Sequence, residues 1–433
     1  MPKPVAENRQ KLTLHHVTSI VSSSIGNLVE WYDWYAYAVF ALYFGASFFP
    51  KDNQTAQLLN TAGIFAIGFL MRPIGGWLMG AFADRKGRKA ALMLSVMLMS
   101  CGSLMIALVP GYAQIGIIAP IILVFARMIQ GFSIGGEYGT VATYLSEIAP
   151  PKLRGMYSSF IYITGTLGQL ISLGILICLQ QYLLSPQQLN DWGWRVPFAF
   201  GSVLGLTALY LRRNLPETET FTRERKPEQQ RGLIKDLLKY KRETLTIVGF
   251  TIGGTVSYYT FTSYMQKFLV NSAGFSKSDS TLITIIVLVV FMLVQPFAGL
   301  LGDRFGFKRM MIIAGVLSAL TSFPIMIILG NTHSFWLATL LVIITLLIVS
   351  IHTSISGIIK AELFPAAIRS LGVSLPYAFT VAIFGGTAEY VALLFKNMGH
   401  AHYFYGYLTV CILITLITSI TMRDTTKYSK LEA

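Results

Sequence analysis

Charge is the scarcest ingredient of this 433-residue chain, since only 12% of its residues are Asp, Glu, Lys or Arg. A water-soluble domain carries roughly 25%. A chain this poor in charge cannot give itself a polar coat, which excludes an ordinary soluble globule and is explained if most of the surface faces lipid. Cysteine is nearly absent as well. Cys101, Cys178 and Cys411 each sit inside an apolar run, without paired spacing or nearby histidines. That excludes a disulfide framework and reads as three inert core residues. Histidine is sparse too, and His15, His16, His333, His400 and His402 read as loop or interface residues with no metal-ligand spacing. No nucleophile–base pair, phosphate loop or metal cluster is found, so neither an enzyme nor a bound cofactor is expected. Met1 to His16 is polar and basic, without an apolar stretch and cleavage site, and does not read as a signal peptide.

What the chain does have is apolar length. Hydrophobic residues make up 54% of it, in windows of about 20 residues, the span a bilayer core requires. Helices are expected at 18–48, 57–82, 90–109, 115–144, 156–183 and 196–211, then at 244–270, 281–301, 310–330, 335–360, 370–395 and 403–422. The fold class is therefore an all-α polytopic membrane protein with twelve spans. Two six-helix bundles (1–211, and 244–433 with a short tail) are joined by a charged, cytoplasmic linker at 212–243. With both termini placed inside, cytoplasmic segments hold 27 of the 34 Lys and Arg, counting Arg212 and Lys360 among them. That bias follows the positive-inside rule and absorbs the net charge of +14, so nucleic acid is not needed as a partner. The halves repeat in sequence. Gly80, Asp84, Arg85 and Gly87 recur 219 residues later as Gly299, Asp303, Arg304 and Gly306. Glu147, Pro150 and Arg154 recur after 215 as Glu362, Pro365 and Arg369. Parallel repeats of this kind are built to rock around a midplane site.

At these loops the sequence resembles the major facilitator superfamily. GAFADRKGRK (80–89) resembles the signature between its second and third helices. RMIQGFSIGGEYG (127–139), followed by Glu147 and Arg154-Gly155, resembles the metabolite:proton symporter branch. GNLVEWYDWY (26–35), FLMRPIGGW (69–77), SYMQKFLVNSAG (263–274), TSISGIIKAELFP (353–365) and FGGTAEYVAL (384–393) bring the likeness nearest to α-ketoglutarate-carrying members, over almost the whole chain. The resemblance implies a symporter of the bacterial inner (plasma) membrane that imports a small dicarboxylate, α-ketoglutarate first, with protons by alternating access. Citrate, shikimate, proline or betaine remain as alternative solutes. The implied partners are a small organic anion, protons and membrane lipid, with a monomer expected. A sensor that keeps the frame without transporting is the rival of another class; intact loop motifs and buried charges speak against it. Two departures count. Phe307 stands where the first copy has Arg88. Only about a dozen residues, without heptads, follow the last helix, whereas osmosensing proline/betaine carriers have a coiled-coil extension.

Ionisable side chains in a hydrocarbon core cost about 2.5–3.5 kcal/mol each on insertion scales and are functional candidates by default. The chain offers Glu30, Asp33, Arg72, Arg127 and Glu137 in its first half, and Lys267, His352 and Glu389 in its second. The 215-residue offset carries Glu137 onto His352, a titratable pair on two sides of a pore. Arg72 lies on a stripe with Gly68, Gly76 and Gly80. Small residues let a neighbouring helix close in, and a guanidinium fork suits a carboxylate. Arg72 is thus either a substrate anchor or an ion pair with Glu30 or Asp33. Arg127 and Gln130 share a helix face and read as a dock for a second carboxylate, or as half of a structural Arg–Glu pair. Lys267 and Tyr258 are substrate contacts or, respectively, a snorkelling lysine and a packing ring. Proton coupling falls to Glu30 or Asp33, then to Glu137 and His352, because a movable proton needs burial and a neighbouring charge. Gating is assigned to Asp84, Arg85, Gly87, Arg88, Glu147, Arg154, Asp303, Arg304, Glu362 and Arg369, and at the outer side to Glu389. By resemblance, Asp84 would bridge the halves when the cytoplasmic side is shut.

Overall fold

The computed structural model describes residues 14–49, 54–223, 227 and 231–431. Lys51, the residues before Leu14 and the side chains of His15 and His16 lie outside that set. Twelve long helices form: α1 Leu14–Phe48, α2 Gln54–Lys86, α3 Arg88–Leu108, α4 Ile118–Ile148, α5 Arg154–Leu183, α6 Arg195–Arg212, α7 241–271, α8 Lys277–Phe305, α9 Phe307–Asn331, α10 Phe335–Glu362, α11 Ala366–Asn397 and α12 His402–Thr421. No strand occurs among the described residues. Eight of these helices are long and apolar enough to cross a membrane outright. Their outer faces carry bare apolar side chains such as Leu108, Phe297, Leu320 and Trp336. Cys101 and Cys178 lie on that exposed surface and only Cys411 is buried. The expectation of three core thiols is corrected, because a lipid-facing helix hides one side only.

Local chemistry sets the helix ends. Gly87 (φ 108°) and Gly306 (φ 91°) turn the chain between α2 and α3 and between α8 and α9, a backbone region that costs glycine little. Ser276 caps α8 and Ser334 caps α10 through bonds to the Asp279 and Leu337 amides. Five-residue π segments interrupt α7 at Thr260–Tyr264 and α11 at Val381–Gly385; such bulges gather at functional sites. Within the first half α2 packs on α4, α1 on α5 and α3 on α6; within the second, α8 packs on α10 and α7 and α9 on α12. Across the halves, α11 lies on α2 and α4, and α5 lies on α8 and α10. The linker contributes to this seam, since its Leu215 and Leu237 join one buried cluster with Tyr144 and Leu371.

The seam is closed at the end that carries the α2–α3 and α8–α9 turns, here called the basic end. Asp84 accepts from the amides of Ser370 (3.0 Å) and Leu371 (2.9 Å) at the start of α11. Its repeat Asp303 accepts from Gly155 (2.7 Å) and Met156 (3.0 Å) at the start of α5. Each half thus caps a helix of the other, where free amides and the helix dipole favour an anion. Glycine makes the approach possible: a Cβ on Gly80 would lie 2.8 Å from Leu371 Cα, and one on Gly299 would lie 2.5 Å from the Gly155 carbonyl oxygen.

Two predictions follow from this seam, both read as the rate at which a water-soluble thiol reagent reaches Ser356→Cys in a chain with its native cysteines replaced. Asp84→Ala or Asp303→Ala, each removing a cap of about 1–2 kcal/mol, is expected to raise that rate roughly 5–30-fold. Gly80→Val should raise it as well; a rate equal to the parent's would mean that α11 tolerates displacement at no cost.

Candidate functional site

Two small adjoining recesses lie between the halves, and both are lined by Trp31 and Tyr377. The first is bordered by Asn27, Glu30, Arg72 and Tyr138. The second is bordered by Tyr162, Tyr258, Tyr259, His352, Ser356 and Lys360. The wall between them is an inter-half stack, Tyr138 of α4 against Tyr377 of α11, with ring centroids 3.6 Å apart.

Arg72 is 3% exposed and held by rings rather than by acids. Its guanidinium lies 4.2 Å from the centroids of both Trp34 and Phe69. Nη1 donates to the Tyr259 hydroxyl at 3.3 Å, while Nε and Nη2 have no hydrogen-bond partner. No carboxylate pairs with it among the described residues, so the ion pair with Glu30 or Asp33 does not form. Glu30 faces the same recess but accepts instead from the hydroxyls of Ser95 (2.8 Å) and Ser133 (2.7 Å).

The other first-half candidates turn inward. Arg127 donates to Gln130 (2.8 Å), Gln130 to Ser103 (3.0 Å), and Ser103 to Asp33. The Arg127 guanidinium also packs on Trp34 and Tyr37, 4.5 and 4.2 Å from their centroids. This chain of donors is internal to the first bundle, so Arg127 and Gln130 do not form the second end of a clamp with Arg72. Glu137 is likewise sealed, paired with Arg212, and both are inaccessible. Arg212 further donates to the carbonyls of Leu92 (2.5 Å) and Ser23 (2.6 Å). Both expectations for this pair are corrected. Arg212 is the last residue of α6 rather than a loop charge, and Glu137 does not face a pore opposite His352.

In the second half, Lys267 pairs with Glu389, both substantially exposed at the end opposite the basic one. They belong to one bundle, so Lys267 is not a recess residue and Glu389 does not bridge the halves. Tyr258 and His352 do line the second recess, with His352 stacked 4.8 Å from Phe250. The residue that sequence reading missed is Lys360, assigned to a loop but 1% exposed on α10. Its Nζ donates to the Tyr138 hydroxyl (3.1 Å) and lies 4.4, 4.8 and 5.8 Å from the centroids of Tyr377, Tyr138 and Phe250. It has no carboxylate partner among the described residues. The spacing His352, Ser356, Lys360, four apart on one helix face, was the available signal.

At the basic end, Glu147 of α4 takes Arg88 of α3 (3.1 Å) and Arg369 of α11 (2.6 Å). Arg88 adds Asp84 (3.4 Å) and the Ala366 carbonyl (2.9 Å). The repeat is weaker: Arg154 stands 3.8 Å from Glu362, and Phe307, in the place of an arginine, is buried among Ile355, Ile358 and Leu431. Arg85 only reaches the Arg231 carbonyl (3.0 Å), and Arg304 lies exposed over Phe305. Among the described residues, neither arginine bridges the halves.

Comparison with known proteins places this geometry. A family model described as sugar (and other) transporter matches residues 19–237 and 222–432. The chain is 48% identical over 408 residues to the alpha-ketoglutarate permease of Escherichia coli K12, covering 94% of each. It is 32% identical to the citrate-proton symporter of Klebsiella pneumoniae, over 86% of this chain and 83% of that one. The solved structure of the major facilitator superfamily proton:xylose symporter XylE, bound to 6-bromo-6-deoxy-D-glucose, shares the fold at a TM-score of 0.76 and 21% identity, over 96% of this chain and 98% of that one. On these matches the chain belongs to the sugar (and other) transporter family and has the major facilitator fold, as a multi-pass inner-membrane transporter and not an enzyme.

Proposed function

We propose that the protein is a proton-coupled symporter that imports a small dicarboxylate, α-ketoglutarate first among them, by rocking its halves (1–211 and 244–433) about the recess. The basic end is then cytoplasmic, as are both termini. The observation that carries this reading is Arg72: a buried guanidinium at the seam, with two nitrogens free of hydrogen bonds and, among the described residues, no carboxylate in contact with it. A guanidinium so placed is costly until an anion arrives, and its fork takes a carboxylate bidentately. The 48%-identical alpha-ketoglutarate permease supports the choice of solute. The contacts of Asp84, Asp303, Arg88, Glu147, Arg154, Glu362 and Arg369 serve as the cytoplasmic gate, which must part for release.

Coupling follows from Glu30 in the same recess. While the recess is empty, its carboxylate offsets the charge of Arg72. Once a substrate carboxylate takes Arg72, Glu30 is stable only as the neutral acid, so one proton travels with the substrate. Electrical work sets the total. A dianion entering against 100 mV faces about 4.6 kcal/mol, since each charge is worth about 2.3 kcal/mol. Accumulation therefore calls for at least two protons.

In proteoliposomes, uptake of labelled α-ketoglutarate is expected to be driven by an inward proton gradient and abolished by a protonophore; uptake indifferent to the protonophore would exclude coupling. Arg72→Gln should lower kcat/KM by about 10²-fold or more, the scale of a lost charge-assisted anchor. Glu30→Gln should retain exchange of internal for external substrate while losing acceleration by the gradient.

A further inference from the structure

Lys360 has no part in the reading above, yet it meets the same physical problem as Arg72. It is an amine sealed from water, beside a recess, facing aromatic rings and one hydroxyl and no acid. Arg72 comes from α2 in the first half and Lys360 from α10 in the second, and their recesses meet at Trp31 and Tyr377. We infer that Lys360 anchors the second carboxylate of the substrate and takes up the second proton that travels with it.

The charge balance supports both halves of that statement, given the symport reading on which it rests. Empty, the recess holds Arg72 as a cation, Glu30 as an anion and Lys360 as a neutral amine, and sums to zero. Loaded, it holds two cations, a dianion and protonated Glu30, and again sums to zero. The difference is one dianion and two protons, so neither form carries an unbalanced charge through the low-dielectric interior. The groups that face Lys360 are consistent with a proton gained only with an anion. From α4 it meets Tyr138, from α11 Tyr377, from α7 Phe250, and on its own helix His352 lines the same recess. None of these is an acid that would hold the ammonium charged in the empty state. The rings then stabilise the ammonium by their quadrupoles once it forms. Because the two cations belong to opposite halves, a diacid ties the halves together, while a monoacid engages one alone.

The test is proton uptake on binding, measured with the full-length protein in weakly buffered detergent near neutral pH. The wild type is expected to take up about two protons per α-ketoglutarate and about one per 2-oxopentanoate, which lacks the distal carboxylate. Lys360→Arg, permanently charged, should bind the diacid with about one proton, and its uptake into liposomes should become electrogenic. Lys360→Met should erase the preference for diacid over monoacid, expected to be about tenfold or more in the wild type. A packing role for Lys360 would instead weaken both ligands alike. Two protons with Lys360→Arg, or an intact preference with Lys360→Met, would overturn the inference while leaving the symport reading standing. Failure of the wild type to bind the diacid would remove both. Should the Met variant not fold, equal proton counts for diacid and monoacid in the wild type would overturn the inference alone.

Discussion

A charge taken out of water must meet a counter-charge or a set of well-aimed dipoles, and that requirement orders the interior of this protein. Glu137 and Arg212 satisfy one another inside the first bundle, and Asp33 and Arg127 are joined through Ser103 and Gln130. These sets tie α1, α3, α4 and α6, helices that keep their relative places when the halves rock. At the basic end the carboxylates of each half occupy helix starts and arginines of the other. Arg72 and Lys360 are what remain: among the described residues, these two buried basic side chains line the seam with no acid in contact. An anion gains most where they meet, which is also where the halves meet.

The two ends of the internal repeat are related but unequal. Asp84 and Asp303 cap opposite helices in the same way, as their 219-residue offset requires. The ionic ties beside them differ. Glu147 gathers two arginines, whereas Glu362 has one at 3.8 Å. Phe307 accounts for this, since an aromatic ring packed with Ile355, Ile358 and Leu431 leaves no polar atom to reach a carboxylate. The tail compensates in part: the Lys430 amide donates to the Glu362 carbonyl (2.9 Å), and its own carbonyl accepts from Arg369 (2.6 Å).

Features with a period or a repeat were legible in the sequence. All twelve helices appear within a few residues of their expected bounds, because hydropathy and the turn glycines mark them directly. Asp84 was legible as a bridge because its motif recurs and resembles a known signature. Partners distant in sequence were not legible. Glu137 and Arg212 are 75 positions apart, and nothing in either segment announces the other. Arg212 and Lys360 were read as loop charges because each stands at the end of an apolar run, where a count by linear position puts it outside. Each still lies within its helix, with the charged side chain turned inward. Lys267 and Glu389 failed for the converse reason: each looked isolated in an apolar segment, and each had its counter-ion on a helix distant in sequence.

The inequality between seam and rim explains why such a closed molecule can still open. Parting the basic end breaks four amide–carboxylate bonds, the Arg369–Glu147 and Arg154–Glu362 pairs and the Arg88 bond to the Ala366 carbonyl. Every group so freed emerges into water, which replaces the lost partner, so each bond contributes only about 1.5–3 kcal/mol net. The recess has no such replacement. There Coulomb interactions act at low effective dielectric, and an unmatched Arg72 or Lys360 would cost more than any one contact at the rim. The rim therefore yields readily, and passage through the closed form is governed by whether charge in the recess is balanced. On the proton coupling proposed above, a carrier built this way moves when it is either fully loaded or fully empty, and stalls when it holds the anion without its protons.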